Sequence, residues 1–371
     1  MTDDSTSSDA ATFANATNPD PDPRALMRSL ADFRTPDATR SWLELAVTLV
    51  PFLALFGALL FAVQAGHYAA LLATPLAGLF LLRLFIIQHD CGHGAYFVDR
   101  TRNDRVGRAL GVLTLTPYDC WRRSHALHHA STGNLDSRGF GDVDTLTVRE
   151  YRALSPLGRF GYRLYRHPFV LLGIGPAYLF LLRHRLPIGH MREGRSFWIS
   201  AMATNAATAG ILALIVWQFG FFASALVFLP TLLTAASVGV FMFYIQHQFE
   251  DAHWDAGDDW SFHDAALHGS SYLHLPPVLR WFTANIGIHH VHHLASRIPF
   301  YRLPEVLDAH PELAQMNRFT MGQTFSPLLL TLWDEDRRKL VRFRDVGDAG
   351  EEASERDKSN ETAETSSLID A

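Results

Sequence analysis

The chain has 371 residues, 48% of them hydrophobic and 26 of them Phe, with a formal net charge of −6. So small a charge, with much of the acid in the two ends, excludes the basic surface that nucleic-acid binding needs. The two cysteines, Cys91 and Cys120, exclude a disulfide framework, and the bunching of the apolar residues points to membrane spans instead of two soluble domains.

Residues 1–31 are assigned to a disordered tail. The stretch through Pro23 is Ser, Thr, Asp, Asn and Pro with scattered Ala, and it lacks the basic start and apolar core of a cleaved signal. The first apolar run, residues 42–66, supplies about the 20 residues that a helix needs to cross a bilayer, with Glu44 close enough to its end to reach water. A turn at Gly66 and His67 leads into a second run, 68–87, so the two predict a tight helical hairpin that ends at the pair His89 and His93.

The next segment, Gln88 to Arg195, is polar and carries 16 Arg, whereas the turns around Ala65 and Gly220 have no charge, which places the segment in the cytoplasm. Within it Pro168 to Leu182 is apolar over only 15 residues, too short for a crossing, and predicts an interfacial or re-entrant piece. Runs at 197–219 and 221–245 form a second hairpin around Gly220. Four crossings return the chain to its starting side, so both tails and every histidine cluster share the cytoplasmic face. The polar stretch from about His247 to Phe343 predicts a cap over the span ends, and residues 346–371 an acidic, disordered tail. The expected fold is an all-α membrane protein of four transmembrane helices in two hairpins under a cytoplasmic helical cap.

Three clusters, His89-Asp90-Cys91-Gly92-His93, His125-Ala126-Leu127-His128-His129 and His289-His290-Val291-His292-His293, hold 9 of the 19 histidines. Read as helix, His89 and His93 stand one turn apart, and each His-x-x-His-His places three imidazoles on one face. A lone histidine is more often an ordinary core or surface residue, but the doubled pattern beside apolar runs is ligand geometry. Neutral imidazole binds Zn, Fe, Cu or Ni without burying negative charge. The count exceeds one tetrahedral zinc shell and suits two ions, while spacing alone does not choose iron over zinc. A metal transporter would place ionisable ligands near the bilayer midplane, and the span interiors are nearly free of them.

The three clusters, in type, order and position relative to the spans, resemble the histidine boxes of the membrane fatty acid desaturases, over about Asp32 to Glu305. The stretches SHALHHASTGNLDSRGFGDVDTLTVREY, YIQHQFEDAHW and GSSYLHLPPVLRWFTANIGIHHVHHL are similar to the bacterial acyl-lipid branch. The boxes alone are shared with alkane hydroxylases and carotenoid oxygenases, so a hydroxylase that stops at the alcohol is the rival reading.

The resemblance implies a desaturase domain over residues 32–345 in the bacterial inner membrane, with the metal site cytoplasmic. It implies two Fe ions, O2 as co-substrate, and an acyl chain of a membrane lipid as substrate, desaturated at delta-12 (omega-6) or, less expectedly, at delta-5 or delta-9. Electrons would come from an external ferredoxin or small haem protein with its reductase. Carried over by position, His89, His93, His125, His128, His129, His289, His292 and His293 are iron ligands, and His247, at the end of the fourth span, is a ninth. His290 points off the ligand face. Asp90, Asp144 and Asn285 are candidates to hold the ligands' second ring nitrogens. The resemblance also implies an Asn one turn before His247 that holds a metal-bound water. Phe243 stands there instead, which leaves Gln246, Gln248 or Glu250 to replace it, or one iron with a more open position.

Overall fold

The computed structural model describes residues 22–139 and 142–346, so residues 1–21 and 347–371 of the predicted tails lie outside it. Four helices among the described residues are long and apolar enough to cross a membrane: Ala38–Gln64, Tyr68–His93, Arg195–Phe219 and Phe221–His247. At about 1.5 Å per residue the 27-residue first and fourth helices are about 40 Å long, against about 30 Å of hydrocarbon. The surplus carries the chemistry. The second helix runs unbroken six residues past the predicted end at 87, to His93, and the fourth two residues past 245, to His247. Gly94, with φ 69°, stops the second helix in the left-handed conformation that lets its amide reach back to a carbonyl.

The second and fourth spans form the centre of the membrane layer. Leu81, Leu82, Ile86, Leu232, Ala235, Met242 and Ile245 are buried together between them. The helices come close at Gly78, where an added Cβ would lie 2.6 Å from Thr234 Cβ and 2.8 Å from the Thr231 carbonyl oxygen.

Between the second and third spans lie helices Arg100–Leu113, Tyr118–Ser131, Val148–Ala153 and Pro156–Tyr165. The apolar stretch at 168–182 does not cross. It is a π-helical turn, Val170–Ile174, leading into Gly175–Leu181, with Leu171 and Pro176 buried and Phe169, Ile174 and Leu182 exposed, which is the form of an interfacial piece.

After the fourth span the cap is built from short helices, including Phe262–His268, Pro277–Phe282 and His289–Leu294. It also contains strands, which the helical pattern did not announce. Leu332–Asp334 pairs with Leu146–Thr147 in parallel and with Lys339–Val341 antiparallel, and Tyr272–His274 pairs with Arg318–Thr320 in parallel. Each is two or three residues long, too short to show a period of two in the sequence.

Two expectations need correction. The assignment of 1–31 to a tail fails for its last ten residues: Pro23–Ser29 is a helix capped by Asp22, and Leu26 and Leu30, four apart on one face, are buried against Leu267, Val291 and Leu294. Glu44 does not reach water. It is 4% exposed and pairs with Arg83 of the second span, 1% exposed, at 2.5 Å, while Arg40 closes on its other oxygen at 2.7 Å.

Gly78→Val should force the second and fourth spans apart and lower stability by about 1–3 kcal/mol. Gly57→Ala, where nothing stands within 4 Å, should not. Thermal unfolding of the detergent-solubilised variants separates the two cases.

Candidate metal centre

Nine imidazoles converge where the second and fourth spans emerge beneath the cap. They form two groups: His89, His93, His125, His129 and His292, and His128, His247, His289 and His293. Within each group the candidate ligand atoms lie within 4.8 Å of one another.

Helix geometry explains the division. Positions i and i+4 differ by about 40° around the axis, so they aim at one point, whereas i+3 lies about 100° from i+4 and aims elsewhere. His89 and His93 form one such pair, His125 and His129 a second, and both serve the five-histidine group. His289 and His293 form the third and serve the four-histidine group. The intervening residues cross over: His128 joins the four and His292 the five. The expectation of three imidazoles on one face is thus corrected to two in one group and one in the other. The groups meet where the rings of His129 and His293 stack at 4.0 Å.

The contacts inside each group fit a cation. Nε2 of His125 lies 3.0 Å from Nε2 of His93 and 3.1 Å from that of His129, whose Nε2 is 3.2 Å from that of His292. In the other group Nε2 of His289 is 2.9 Å from that of His247 and 3.1 Å from that of His293. Ligands at right angles around an ion with metal–nitrogen bonds of about 2.1 Å stand about 3.0 Å apart. His247 directs Nδ1 at the Gly269 carbonyl, 3.3 Å away, so its proton is there and its Nε2 presents a lone pair to His289. Nε2 of His128, buried in the same group, has no hydrogen-bond partner among the described residues. Lone pairs facing one another and an orphaned nitrogen are what bound metal would satisfy.

Burial holds the imidazoles in the ligating form. His125, His129, His289, His292 and His293 all have pKa values pushed well below the usual 6.5, first by removal from water and then by neighbouring imidazoles. The four-histidine group is wholly buried, whereas His93 and His125 of the other are partly open to solvent. Trp121 stacks on His125 at 4.6 Å and occupies the space that a Cβ on Gly92 would need, 2.7 Å from its ring.

The three carboxylate and amide expectations fare differently. Asp90 lies beside a box histidine, 1% exposed, with Oδ1 3.2 Å from His89 Nδ1 and Oδ2 accepting the Phe300 N–H at 2.7 Å. Asp144 is exposed, and its backbone supplies its bonds to Tyr165 and Arg166. Asp142 takes its place, with Oδ1 2.5 Å from His128 Nδ1 in an ion-pair contact out of line for a hydrogen bond. The chain bends at Asp142, so the two aspartates differ in surroundings, and the sequence-based expectation falls on Asp144 alone. Asn285 donates to the Phe300 carbonyl at 3.1 Å, steadying the loop that also holds Asp90 and touching no box histidine.

His290 lies outside both groups, fully buried, with Nε2 2.9 Å from the Leu313 carbonyl. Phe243 does face the site, its ring 5.0 Å from His128 and 5.4 Å from His247. None of the residues offered in its stead is free. Gln246 donates to the Ile286 carbonyl, Gln248 is bonded to Thr145 and Arg166, and Glu250 pairs with Lys339.

Because the metal-free fold keeps these imidazoles neutral while the unfolded chain does not, the unfolded state binds more protons below the usual histidine value of 6.5. The stability of metal-free protein should therefore be complete above that pH and fall as pH drops below it. A thermal midpoint that stays flat from pH 7.5 to 5 would contradict the assignment.

Comparison with known proteins agrees with this geometry. A family model described as "Fatty acid desaturase" matches residues 65–325, which include all nine imidazoles. A fatty acid desaturase of Bacillus subtilis (strain 168) is 39% identical over 324 residues, 87% of this chain and 91% of its own. An sn-1 acyl-lipid omega-3 desaturase (ferredoxin) of Synechocystis is 29% identical over 67% of this chain and 70% of its own. A chloroplastic sn-2 acyl-lipid omega-3 desaturase (ferredoxin) of Helianthus annuus is 27% identical over 78% and 67%. A histidine centre at the ends of two of four apolar helices, with a family match across most of the chain, identifies a membrane oxidoreductase that belongs to the fatty acid desaturase family.

Proposed function

We propose that the chain desaturates acyl chains of membrane lipids with two irons and O2, inserting a cis double bond toward the methyl end, at delta-12 (omega-6). The observation that carries the two-metal reading is the division of nine imidazoles into two convergent groups, each with nitrogens about 3 Å apart. His89, His93, His125, His129 and His292 would hold one iron, and His128, His247, His289 and His293 the other. Bound there, the iron pair would supply O2-dependent abstraction of hydrogen from an unactivated C–H bond, which side chains alone cannot perform. The second group offers four imidazoles against five, and the Phe243 ring beside it could not hold a water, so an ion there would have fewer protein ligands.

The chain's own residues contribute placement. Asp90 fixes His89, Asp142 steadies His128 and the Gly269 carbonyl sets the tautomer of His247, so each ion meets preoriented nitrogens. The desaturases of Synechocystis and Helianthus are named as acting on acyl lipids with ferredoxin. We assign this chain the same substrate class and an external ferredoxin with its reductase, a small haem protein being the other donor. Arg100, Arg102, Arg105 and Arg108 are exposed on or at one cap helix and offer an acidic carrier a basic face. The excess of Arg in that segment favours the cytoplasmic side of a bacterial inner membrane for the centre. The catalytic domain takes in residues 32–345 and the helix at 23–29 that packs on it.

Expression in a host lacking polyunsaturated lipids, with double bonds located in its fatty acids, tests the reading. New double bonds at delta-12 are expected, whereas delta-5 or delta-9 would move the regiospecificity and alcohols would favour the hydroxylase. In the same host His247→Ala should lower bound iron and abolish the product. His290→Ala should keep both at a stability cost of about 1–3 kcal/mol for the lost hydrogen bond to the Leu313 carbonyl and the space the ring leaves. Full iron content and activity in His247→Ala would remove His247 from the ligand set.

A further inference from the structure

Two arginines, Arg83 and Arg166, are each 1% exposed and head the largest fully buried side chains of the protein. Neither touches a histidine, and each stands behind one of the two groups. Burying a guanidinium is costly, and a structure that does so twice, once per metal group, uses the guanidinium for something a hydrocarbon would not supply.

Arg83 lies in the second span, six residues before His89. Its Nε donates to Thr48 Oγ1 at 3.0 Å, one terminal nitrogen pairs with Glu44, and the other donates to the Trp281 carbonyl. The guanidinium also lies 4.1 Å over the Trp281 ring and 5.1 Å from the Phe300 ring. Phe300 is the residue whose backbone N–H holds Asp90 at 2.7 Å, and Asp90 holds His89. Arg83 therefore clamps both ends of the 281–300 segment against the span that carries the first histidine pair.

Arg166 does the same for the other group, with uncharged partners. One terminal nitrogen donates to the Asp144 carbonyl at 2.9 Å and Thr145 Oγ1 at 2.8 Å. The other donates to Tyr244 OH at 2.9 Å, Gln248 Oε1 at 3.2 Å and the Leu330 carbonyl at 3.1 Å. One hand thus grips the segment just past Asp142, whose carboxylate meets His128, and the other grips both sides of His247 at the end of the fourth span. The planar fork spans both, which a lysine could not do.

We propose that Arg83 and Arg166 are positioning residues, each fixing the ligands of one metal group from behind: Arg83 the five-histidine group through Phe300 and Asp90, Arg166 the four-histidine group through the Asp142 segment and Gln248. The assignment rests on the two-iron reading and goes beyond it, because it separates the two ions by what supports them.

The test is Fe(II) binding to purified protein in detergent, read as stoichiometry and affinity. Wild type should bind two irons per chain. Arg83→Met, made with Glu44→Gln so that no unpaired charge is buried, should weaken one site about 10- to 100-fold and spare the other, and Arg166→Met should do the reverse. His93→Ala and His293→Ala, which each disable one group, identify the site. The Arg83 variant should add nothing to His93→Ala and its full effect to His293→Ala, with the opposite for Arg166. Arg83→Lys and Arg166→Lys keep the charge but lose the fork, and should share the defects while remaining folded. Unchanged affinities, equal loss at both sites, or full binding by the Lys variants would overturn the inference. Failure of the wild type to bind two irons would instead overturn the two-iron reading and take this one with it.

Discussion

The structure depends on holding nine imidazoles largely withdrawn from water and mutually facing at one end of a membrane bundle. Water would solvate them apart, and protonation would drive them apart by charge. Burial prevents both, and it leaves nitrogen lone pairs about 3 Å from one another with nothing in the protein to separate them. That arrangement is unfavourable without a cation and strongly favourable with one, which is the usual relation between a preformed metal site and the fold around it. The rest of the cap can be understood as the means of holding the arrangement against its own repulsion.

Helix periodicity and helix length do most of this. The second and fourth spans outlast the hydrocarbon layer, so their last turns carry ligands into the cap without any loop between membrane and site. Short rigid helices then present the other clusters, and the i, i+4 spacing assigns each pair to one group while the i+3 residue joins the other. The two groups are therefore interleaved through the same two helices, Tyr118–Ser131 and His289–Leu294, so neither can be displaced without disturbing its neighbour. The membrane part contributes firmness more than chemistry: Gly78 brings the two ligand-bearing spans into contact, and the Glu44–Arg83 pair ties the first span to the second and to the cap.

Much of this was legible in the sequence because it is written in local patterns. Apolar runs and uncharged turns predict four spans, and the spacing of the clusters predicts which imidazoles gather, with His247 at a span end among them and His290 apart. What was not legible depends on contacts distant along the chain. Arg83 sits inside LFLLRLFII, where an average over the run hides it, and its partners Glu44 and Trp281 are 39 and 198 residues away. Asp142, not Asp144, meets His128, and that follows from a bend in the chain that no local pattern marks. The span ends were read short because Gln, His and Asp look like the close of an apolar run, although a helix continues through them once their side chains have partners in the cap. The helix at 23–29 was missed because two leucines are too few to mark an amphipathic face until the surface they cover is known.

The central claim is that the five- and four-histidine groups are two separate iron sites. Crystals of iron-loaded protein, measured on both sides of the iron absorption edge, test it directly. The account predicts two anomalous peaks, one enclosed by His89, His93, His125, His129 and His292 and one by His128, His247, His289 and His293. A single peak shared between the groups, or peaks elsewhere with these imidazoles bonded only to one another, would contradict it.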